Sequence, residues 1–323
     1  MLRAMDSHPD SRPDSGEVAV AAFYRFVVLN DVAGLRERLR ETCAAHGVKG
    51  SVLLAEEGIN GTLAGPPSGM AAVLGWLRGI AGLEALRHKA SFADVMPFHR
   101  LKVEIKPEIV TFRQPGIDPT VRVGTHIKAA DWNALIDDPT VTVVDTRNDF
   151  EVQLGTFVGA HNPHTTSFTE FAAWVDEHLD PARDRKVAMF CTGGIRCEKA
   201  TAYLLNKGFE GVFHLDGGIL QYLEDVPATD SRWQGECFVF DQRVSVGHGL
   251  VPGRNLVCHA CYKPVDEAAL SSSQYEVGVS CPRCFGSADE AKLSSRRERQ
   301  RQVVLAERRR QPHIGGSMPA KRG

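Results

Sequence analysis

The stretch 186–197, KVAMFCTGGIRC, decides the fold of the central part of this chain. Lys186–Phe190 is a short apolar run, which predicts a buried strand that delivers Cys191 to its end. A short glycine-rich loop follows this cysteine, and 198–207 (EKATAYLLNK) has the spacing of a helix. A strand, a tight loop and a helix in this order are typical of a parallel sheet that is covered by helices on both faces.

The same alternation of strands and helices continues on both sides of this stretch. Residues 141–145 (VTVVD) and 212–215 (VFHL) predict further buried strands, while 131–136 and 168–179 predict helices. The sequence therefore predicts an α/β domain over residues 124–229, built on a doubly wound parallel sheet.

The N-terminal part of the chain has a different order of elements. Residues 17–113 read as βαββαβ, with 109–112 as a late strand, and this order predicts a ferredoxin-like (acylphosphatase-like) α+β domain. The segment 113–123 is rich in Pro and Gly and is predicted to be a linker. Residues 1–16 contain no apolar core of the kind a secretory signal needs, so we expect a short disordered leader.

The position of Cys191 favours its ionised form. Ligands bind at the carboxyl edge of open α/β sheets, and a tight loop of inward-pointing N–H groups before a helix N-terminus stabilises an anion there. Both effects lower the pKa of a thiol. The predicted active-site loop comprises Cys191, Thr192, Gly193, Gly194, Ile195 and Arg196. The alternative is a buried structural cysteine, and Cys197 in the next turn would be either a resolving thiol or a packing residue.

Two CxxC pairs lie within residues 230–291. We predict that these residues form an irregular, zinc-ribbon-like segment. Two such knuckles bring four thiolates to the corners of a tetrahedron, which is the geometry of structural zinc. The predicted ligands are Cys258, Cys261, Cys281 and Cys284. The alternatives are four reduced structural cysteines or a redox disulfide pair.

Composition and charge restrict the class of protein. The chain has 323 residues, 43% hydrophobic and 24% charged, which is ordinary for globular domains and argues against disorder or a coiled coil. Residues 292–323 carry ten Lys and Arg against two Glu, a local charge of +8 on a chain of net charge −2. This basic tail predicts a polyanionic partner such as nucleic acid, or else a solvated helix. With no apolar run long enough to span a membrane, we expect a cytoplasmic protein with reduced thiols.

Three segments resemble the signatures of rhodanese domains. They are 144–151 (VDTRNDFE), the loop 191–196 (CTGGIR) and the turn 214–218 (HLDGG). This resemblance implies that Cys191 carries a persulfide during catalysis. For Asp145 and Arg147 we favour a structural ion pair at the strand end over a supporting role in catalysis.

Longer motifs resemble one particular rhodanese-containing family, the oxygen-dependent tRNA uridine-34 hydroxylases. They are 50–62 (GSVLLAEEGINGT), 98–103 (FHRLKV), 191–200 and 235–241 (GECFVFD). The resemblance implies hydroxylation of C5 of the wobble uridine to 5-hydroxyuridine, with O₂ as cosubstrate and the tRNA anticodon arm as partner. We infer no obligate protein partner and no membrane partner from the sequence.

A tRNA substrate requires cationic side chains that contact phosphate groups. In the basic tail we predict RNA contacts from Arg296, Arg297, Arg299, Arg301, Arg308, Arg309 and Arg310. His99, Arg100 and Lys102 form a second basic cluster that is either an RNA contact or a solvated loop.

The sequence leaves the chemistry of oxygen open. Ground-state O₂ reacts only with a metal, a flavin or a radical partner, and we assign no 2-His-1-carboxylate set and no reductant from the sequence. Thiolate addition to C6 of uracil would make C5 nucleophilic. The rival functions are a persulfide sulfurtransferase, acting on small thiols or tRNA, and a non-catalytic RNA-binding adaptor.

Overall fold

The computed structural model describes residues 17–241 and 243–309. The predicted leader, Arg310 and the remainder of the basic tail lie outside the described residues. Within those two ranges, no helix combines the length and the apolar character needed to cross a bilayer.

The N-terminal domain is a five-stranded sheet with two helices. Its elements are β1 (Val18–Phe26), α1 (Val32–Ala45), β2 (Lys49–Ala55), β3 (Gly58–Gly65), α2 (Pro67–Arg78), β4 (His88–Ala93) and β5 (Leu101–Ile105). The strand order is β4-β1-β3-β2-β5, and all pairs are antiparallel except β2 with β5. The first six elements have the predicted βαββαβ order, so the ferredoxin-like fold is confirmed, with one additional edge strand. Helix α1 buries Leu35, Leu39 and Cys43, which have the spacing of one helix face.

The prediction of a strand over residues 109–112 is wrong. This segment pairs with no strand among the described residues, although Ile109 and Phe112 are fully buried. The Phe112 ring stacks on Phe168 at 4.7 Å between centroids and meets Tyr203 edge-on. The apolar run therefore packs into the core of the next domain rather than joining a sheet.

The second domain is built on a four-stranded parallel sheet. Its elements are β6 (Thr125–Ile127), α3 (Ala129–Ile136), β7 (Val141–Asp145), α4 (Asp149–Val152), β8 (Gly155–Phe157), α5 (Phe171–His178), β9 (Lys186–Phe190), α6 (Ile195–Asn206), β10 (Gly211–Leu215) and α7 (Gly218–Asp225). The strand order is β6-β10-β9-β7. One hydrophobic core joins the sheet to α3 and α7, and a second joins it to α5 and α6. The predicted parallel sheet with helices on both faces is confirmed.

The C-terminal part contains short hairpins and one long helix. Its elements are β11 (Trp233–Gly235), β12 (Cys237–Phe238), β13 (Ser245–Val246), β14 (Leu256–Val257), β15 (Pro264–Val265), α8 (Glu267–Leu270) and α9 (Glu290–Arg308). Strand β11 pairs with β8, and Trp233, Cys237 and Val246 belong to the same core as α3 and α7. The core of the second domain therefore extends past residue 229, where we predicted its boundary.

The N-terminal domain packs against the second domain beside the Cys191 loop. The ammonium group of Lys199 on α6 is buried between two carboxylates, 2.9 Å from Glu57 and 2.7 Å from Glu108. The Tyr24 hydroxyl of β1 donates a hydrogen bond of 2.9 Å to Glu198. These contacts fix the N-terminal sheet over the start of α6, so any site at the loop is shared by both domains.

Candidate active site

The Cys191 loop has the strand–loop–helix geometry that the sequence predicts. Cys191 follows β9 directly, its side chain is buried, and the N–H of Gly194 donates to its sulfur at 3.1 Å. Gly194 has φ of 99°, and a Cβ there would lie 2.8 Å from the Tyr24 hydroxyl. Glycine is therefore required at this position both for backbone conformation and for the contact between the domains.

The opposite side of the loop is held by the first turn of α7. The carbonyl of Cys191 accepts from the N–H of Ile219 at 2.9 Å, and that of Thr192 accepts from Leu220 at 3.1 Å. A Cβ at Gly218 would come within 2.6 Å of both carbonyl oxygens. This glycine permits the close approach that orients the loop.

Cys191 in the loop and Cys197 in the first turn of α6 differ in the direction of their pKa shifts. Burial raises the pKa of Cys191, but hydrogen bonds from Cys197, the charge of Arg196 and nearby backbone N–H groups outweigh it and lower the pKa from 9.0 to about 6. Burial and the neighbouring Cys191 raise the pKa of Cys197 well above its usual range. The two shifts have opposite directions, so Cys191 is the thiol of this pair whose ionised form the surroundings favour.

Arg196 is fixed by a buried carboxylate. Its guanidinium forms two hydrogen bonds of 2.7 Å with Glu151, whose side chain is fully buried. Burial raises the pKa of Glu151, but the charge and hydrogen bonds of Arg196 outweigh it and lower it overall. Glu151 also accepts from the backbone N–H of Asn148 at 3.1 Å. Arg196 therefore stabilises the loop and its thiolate from a fixed position.

Glu151 is a site residue that the sequence reasoning missed. It stands in the quoted rhodanese-like segment 144–151, but we gave it no role. A signal was available, because Asn148 and Glu151 have the three-residue spacing of a helix-capping pair. Nothing in that spacing identifies Arg196 as the partner, since 45 residues separate the two.

Asp145 and Arg147 form a closed ion pair away from the cleft. Both side chains are fully buried, and the guanidinium donates to the Asp145 carboxylate at 2.6 and 2.9 Å. Arg147 also donates to the Gly155 carbonyl at 2.6 Å and lies over the Trp233 ring at 5.1 Å. These contacts join β7, β8 and β11, as the structural interpretation requires, and the roles of the two residues stay predictions.

A cleft of about 1110 Å³ opens between the N-terminal sheet and the Cys191 loop. Its walls carry both aromatic and cationic side chains, including Tyr24, Phe26, Arg87, Arg113, Phe240 and Arg243. Phe240 is 64% exposed at the surface. Proteins that bind single-stranded nucleic acids commonly combine aromatic rings, which stack on bases, with cations, which contact phosphates.

The four C-terminal cysteines converge as the CxxC spacing predicts. All four sulfur atoms lie within 4.8 Å of one another, and Cys258 is 3.9 Å from Cys284. Four sulfur ligands at about 2.3 Å from a tetrahedral ion would lie about 3.8 Å apart. The cluster therefore has the dimensions of a metal site.

Several arginines of the predicted RNA-binding tail contact the protein itself. Arg296 donates to the Val279 carbonyl at 3.1 Å, and Arg299 donates to the His259 carbonyl at 2.8 Å. Arg297 pairs with Glu276. The remaining described arginines are exposed: Arg301, which pairs with Glu298, and Arg308 lie on α9, and Arg309 follows its last residue. The first turns of α9 thus support the cysteine cluster, and its later turns carry the exposed positive charge.

The second basic cluster lies at the surface around the start of β5. Arg100 is exposed, and Lys102 pairs with Glu104 at 3.1 Å. A role in RNA binding for His99, Arg100 and Lys102 stays a prediction.

Comparison with known families agrees with both domains. Residues 18–109 match the UPF0176 acylphosphatase like domain, and residues 128–225 match the Rhodanese-like domain. The fold and the cysteine loop thus define a protein with a rhodanese domain. Among solved structures, a rhodanese-like domain from Anabaena sp. is 20% identical over 35% of this chain and 80% of that chain (TM-score 0.29). An acylphosphatase from Coxiella burnetii is 17% identical over 27% of this chain and 93% of that chain (TM-score 0.22).

Full-length relatives define the family. A tRNA uridine(34) hydroxylase from Albidiferax ferrireducens is 54% identical over 95% of this chain and 99% of the relative. Proteins of the same name from Teredinibacter turnerae and Mesorhizobium japonicum are each 54% identical, over 92% and 93% of this chain and 92% and 98% of the relatives. The chain belongs to the tRNA uridine(34) hydroxylase family, and the resemblance inferred from its motifs is confirmed.

Proposed function

We propose that this protein hydroxylates C5 of uridine-34 in tRNA, with O₂ as the oxidant and Cys191 as the catalytic residue. Family membership supports the substrate and the position. The observation that carries the role of Cys191 is its position on the wall of a cleft that also contains aromatic and cationic groups, where Arg196 and hydrogen-bond donors lower the pKa of its thiol to about 6.

The proposed chemistry begins with addition of the Cys191 sulfur to C6 of the uracil ring. The new S–C6 bond places the ring electrons on C5 and O4, so C5 becomes the nucleophile. After activation by a metal, flavin or radical partner, O₂ gives one oxygen atom to C5 as a hydroxyl group, and the other leaves as water; the step takes two electrons from an external reductant and three protons, one of which is returned when C5 is deprotonated. Loss of the C5 proton and of the sulfur then restores the aromatic ring and the thiolate.

The proposed position of the tRNA follows from the cleft and α9. The extruded wobble base would enter the cleft, as enzymes that modify bases require. Phe240 offers an exposed ring for stacking, and Arg87 and Arg113 lie on the cleft wall. Arg308 at the end of α9 and Arg309 directly after it would contact phosphates outside the cleft.

The sulfurtransferase alternative is not favoured. A sulfur carrier needs the Cys191 loop alone, whereas here the N-terminal sheet forms one wall of the cleft, and its Tyr24 donates a hydrogen bond to Glu198 in the first turn of α6. The relatives named tRNA uridine(34) hydroxylase match this chain over nearly their whole length.

Nucleoside analysis tests the proposal directly. Mass spectrometry of tRNA from a deletion strain is expected to show loss of 5-hydroxyuridine and of the modifications made from it, with recovery when the gene is restored. Incubation of the purified protein with that tRNA under ¹⁸O₂ is expected to add one labelled oxygen. Loss of a thiolated base instead would support the sulfurtransferase, and unchanged nucleosides would support the adaptor.

The cysteine cluster is proposed to hold a structural zinc ion. The residues fit, because their sulfur separations match tetrahedral thiolate coordination. A site closed by four thiolates leaves no open position, so zinc would stabilise the fold around α9 and take no part in hydroxylation.

Zinc release provides the measurement for this site. The native protein is expected to release one zinc per chain when a thiol-modifying reagent is added, and a Cys258→Ser variant is expected to release none. Cys43→Ala is the matched control, since Cys43 is buried in the N-terminal core. Equal release from Cys258→Ser and the native protein would contradict the assignment.

A further inference from the structure

Two histidines and a glutamate meet beside the Cys191 loop. His126 of β6 and His214 of β10 are directly paired in parallel register, so their side chains lie on the same face of the sheet. Glu198, in the first turn of α6, covers that face, and one ligand atom from each of the three residues lies within 4.8 Å of the others. None of these residues has a role in the thiolate chemistry proposed above.

His214 lacks the partners that a buried imidazole needs. Its side chain is 1% exposed, and neither ring nitrogen has a hydrogen-bond partner among the described residues within ordinary geometry. The backbone of Gly124 lies close enough to act on the pKa of this ring as a weak hydrogen-bond partner, but it does not meet the geometry of a full hydrogen bond to either nitrogen. Because a buried polar group without a partner is costly, this ring is better explained if one nitrogen binds a further group.

The spacing of the other two residues fits a shared ion. Nitrogen or oxygen ligands at about 2.1 Å from a metal and at right angles to each other lie about 3 Å apart. His126 Nε2 and Glu198 Oε1 are 3.1 Å apart. The Tyr24 hydroxyl donates to the same carboxylate oxygen at 2.9 Å, which is the kind of outer contact that orients a ligating carboxylate.

The site would open toward the cleft. The His126 side chain is 42% exposed and that of Glu198 is 11% exposed, and both line the cleft together with Cys191. Three protein ligands on one side of an ion leave the positions that face the cleft free for small molecules.

We propose that His126, Glu198 and His214 bind a divalent transition-metal ion of the Fe(II) class. Two imidazoles and one carboxylate are the donor set that non-haem iron uses when it activates O₂. The ion-binding part of this inference stands on the geometry of the three residues, and only its role in oxygen chemistry rests on the proposed function. The competing explanation is a plain ion pair between His126 and Glu198, with Tyr24 as a hydrogen-bond partner.

Anaerobic titration of the full chain with Co(II), a spectroscopic substitute for Fe(II), tests the site. The cysteine cluster is first loaded with zinc. We then expect one further equivalent of Co(II) by equilibrium dialysis and metal analysis. Its absorption should show the weak bands of nitrogen and oxygen ligands, without the intense charge-transfer bands of thiolates.

Three variants locate the ion. Binding is expected to weaken at least tenfold in His214→Gln, Glu198→Gln and His126→Asn, and to be unchanged in His46→Gln, which alters an exposed histidine of the N-terminal domain. His126 is partly exposed, so its variant keeps the test valid if His214→Gln does not fold. Uptake equal to the native protein in all three variants, or no uptake beyond the cysteine cluster, would overturn the inference.

The same samples separate this inference from the proposed function. Specific Co(II) or Fe(II) binding without any 5-hydroxyuridine formation would leave the metal site standing and refute the hydroxylase proposal for this chain. Hydroxylation by protein that binds no ion at these residues would refute the metal site alone.

Discussion

Replacing Cys191 with serine is expected to lower the rate of uridine hydroxylation by about 10³-fold or more, as losing a covalent nucleophile does in other enzymes. Serine fits the same space and can accept the hydrogen bond from Gly194. Its hydroxyl remains protonated at neutral pH, whereas the pKa of Cys191 is lowered to about 6. The measurement is the rate of 5-hydroxyuridine formation on unmodified tRNA at saturating substrate.

The pH dependence of alkylation tests the same thiolate without tRNA. The Cys191 thiolate is the reactive form, so its alkylation rate should rise with pH and level off, with a midpoint near pH 6. Below that midpoint the sulfur is protonated, and both alkylation and hydroxylation are expected to fall. Peptide mapping assigns the modified residue.

Cys43→Ala is the matched control for both measurements. Cys43 is buried in the N-terminal core, and burial raises the pKa of its thiol to about 12, so it should be neither alkylated nor needed. Hydroxylation within a few-fold of native in Cys191→Ser, or a Cys191 that stays unreactive at pH 8, would remove this residue from the mechanism.

The Cys191 loop was predictable because its determinants are local. The apolar run, the cysteine, the two glycines and the following helix are contiguous in the chain, and their order alone predicts a cysteine with a lowered pKa at a sheet edge. The CxxC pairs were predictable for a similar reason, since each knuckle carries its spacing with it.

The residues around the loop depend on tertiary register and could not be predicted. His126 and His214 are neighbours only because β6 lies next to β10, and Glu198 joins them from α6. For that reason the sequence offered no 2-His-1-carboxylate set. Likewise, Arg296 stands in a run of basic residues, which suggests a solvent-exposed side chain. The sequence does not indicate that its guanidinium would donate a hydrogen bond to the Val279 carbonyl.

Burial and secondary structure are also separable, as residues 109–112 illustrate. Their apolar character correctly indicates that Ile109 and Phe112 lie in a core. It says nothing about whether a neighbouring strand has free hydrogen-bonding groups at that place. Here Phe112 packs against Phe168, and the segment connects the two domains without a sheet partner.

Breaking the buried ion pair of Asp145 and Arg147 is expected to reduce the stability of the protein strongly. Arg147→Met is expected to lower the free energy of unfolding by about 3–5 kcal/mol, because it leaves a carboxylate buried without its counter-charge. Asp145→Asn should cost a comparable amount by leaving the guanidinium unpaired. Urea denaturation of each purified variant gives the values.

The double variant Asp145→Asn with Arg147→Met distinguishes pairing from other contributions. The double variant buries no unpaired charge. Its loss of stability should therefore be clearly smaller than the sum of the losses in the two single variants. Additive losses would mean that the two residues act independently, for example through the contacts of Arg147 with Gly155 and Trp233.

A readout at Cys191 decides whether this pair is only structural. Neither residue lines the cleft, so folded Asp145→Asn protein at low temperature should keep the native alkylation midpoint and a hydroxylation rate within a few-fold of native. A midpoint shifted by a full pH unit in a variant that is still folded would assign Asp145 a direct effect on the thiolate. Its pairing with Arg147 at the end of β7, within the cluster that joins β8 and β11, makes the stability effect the expected one.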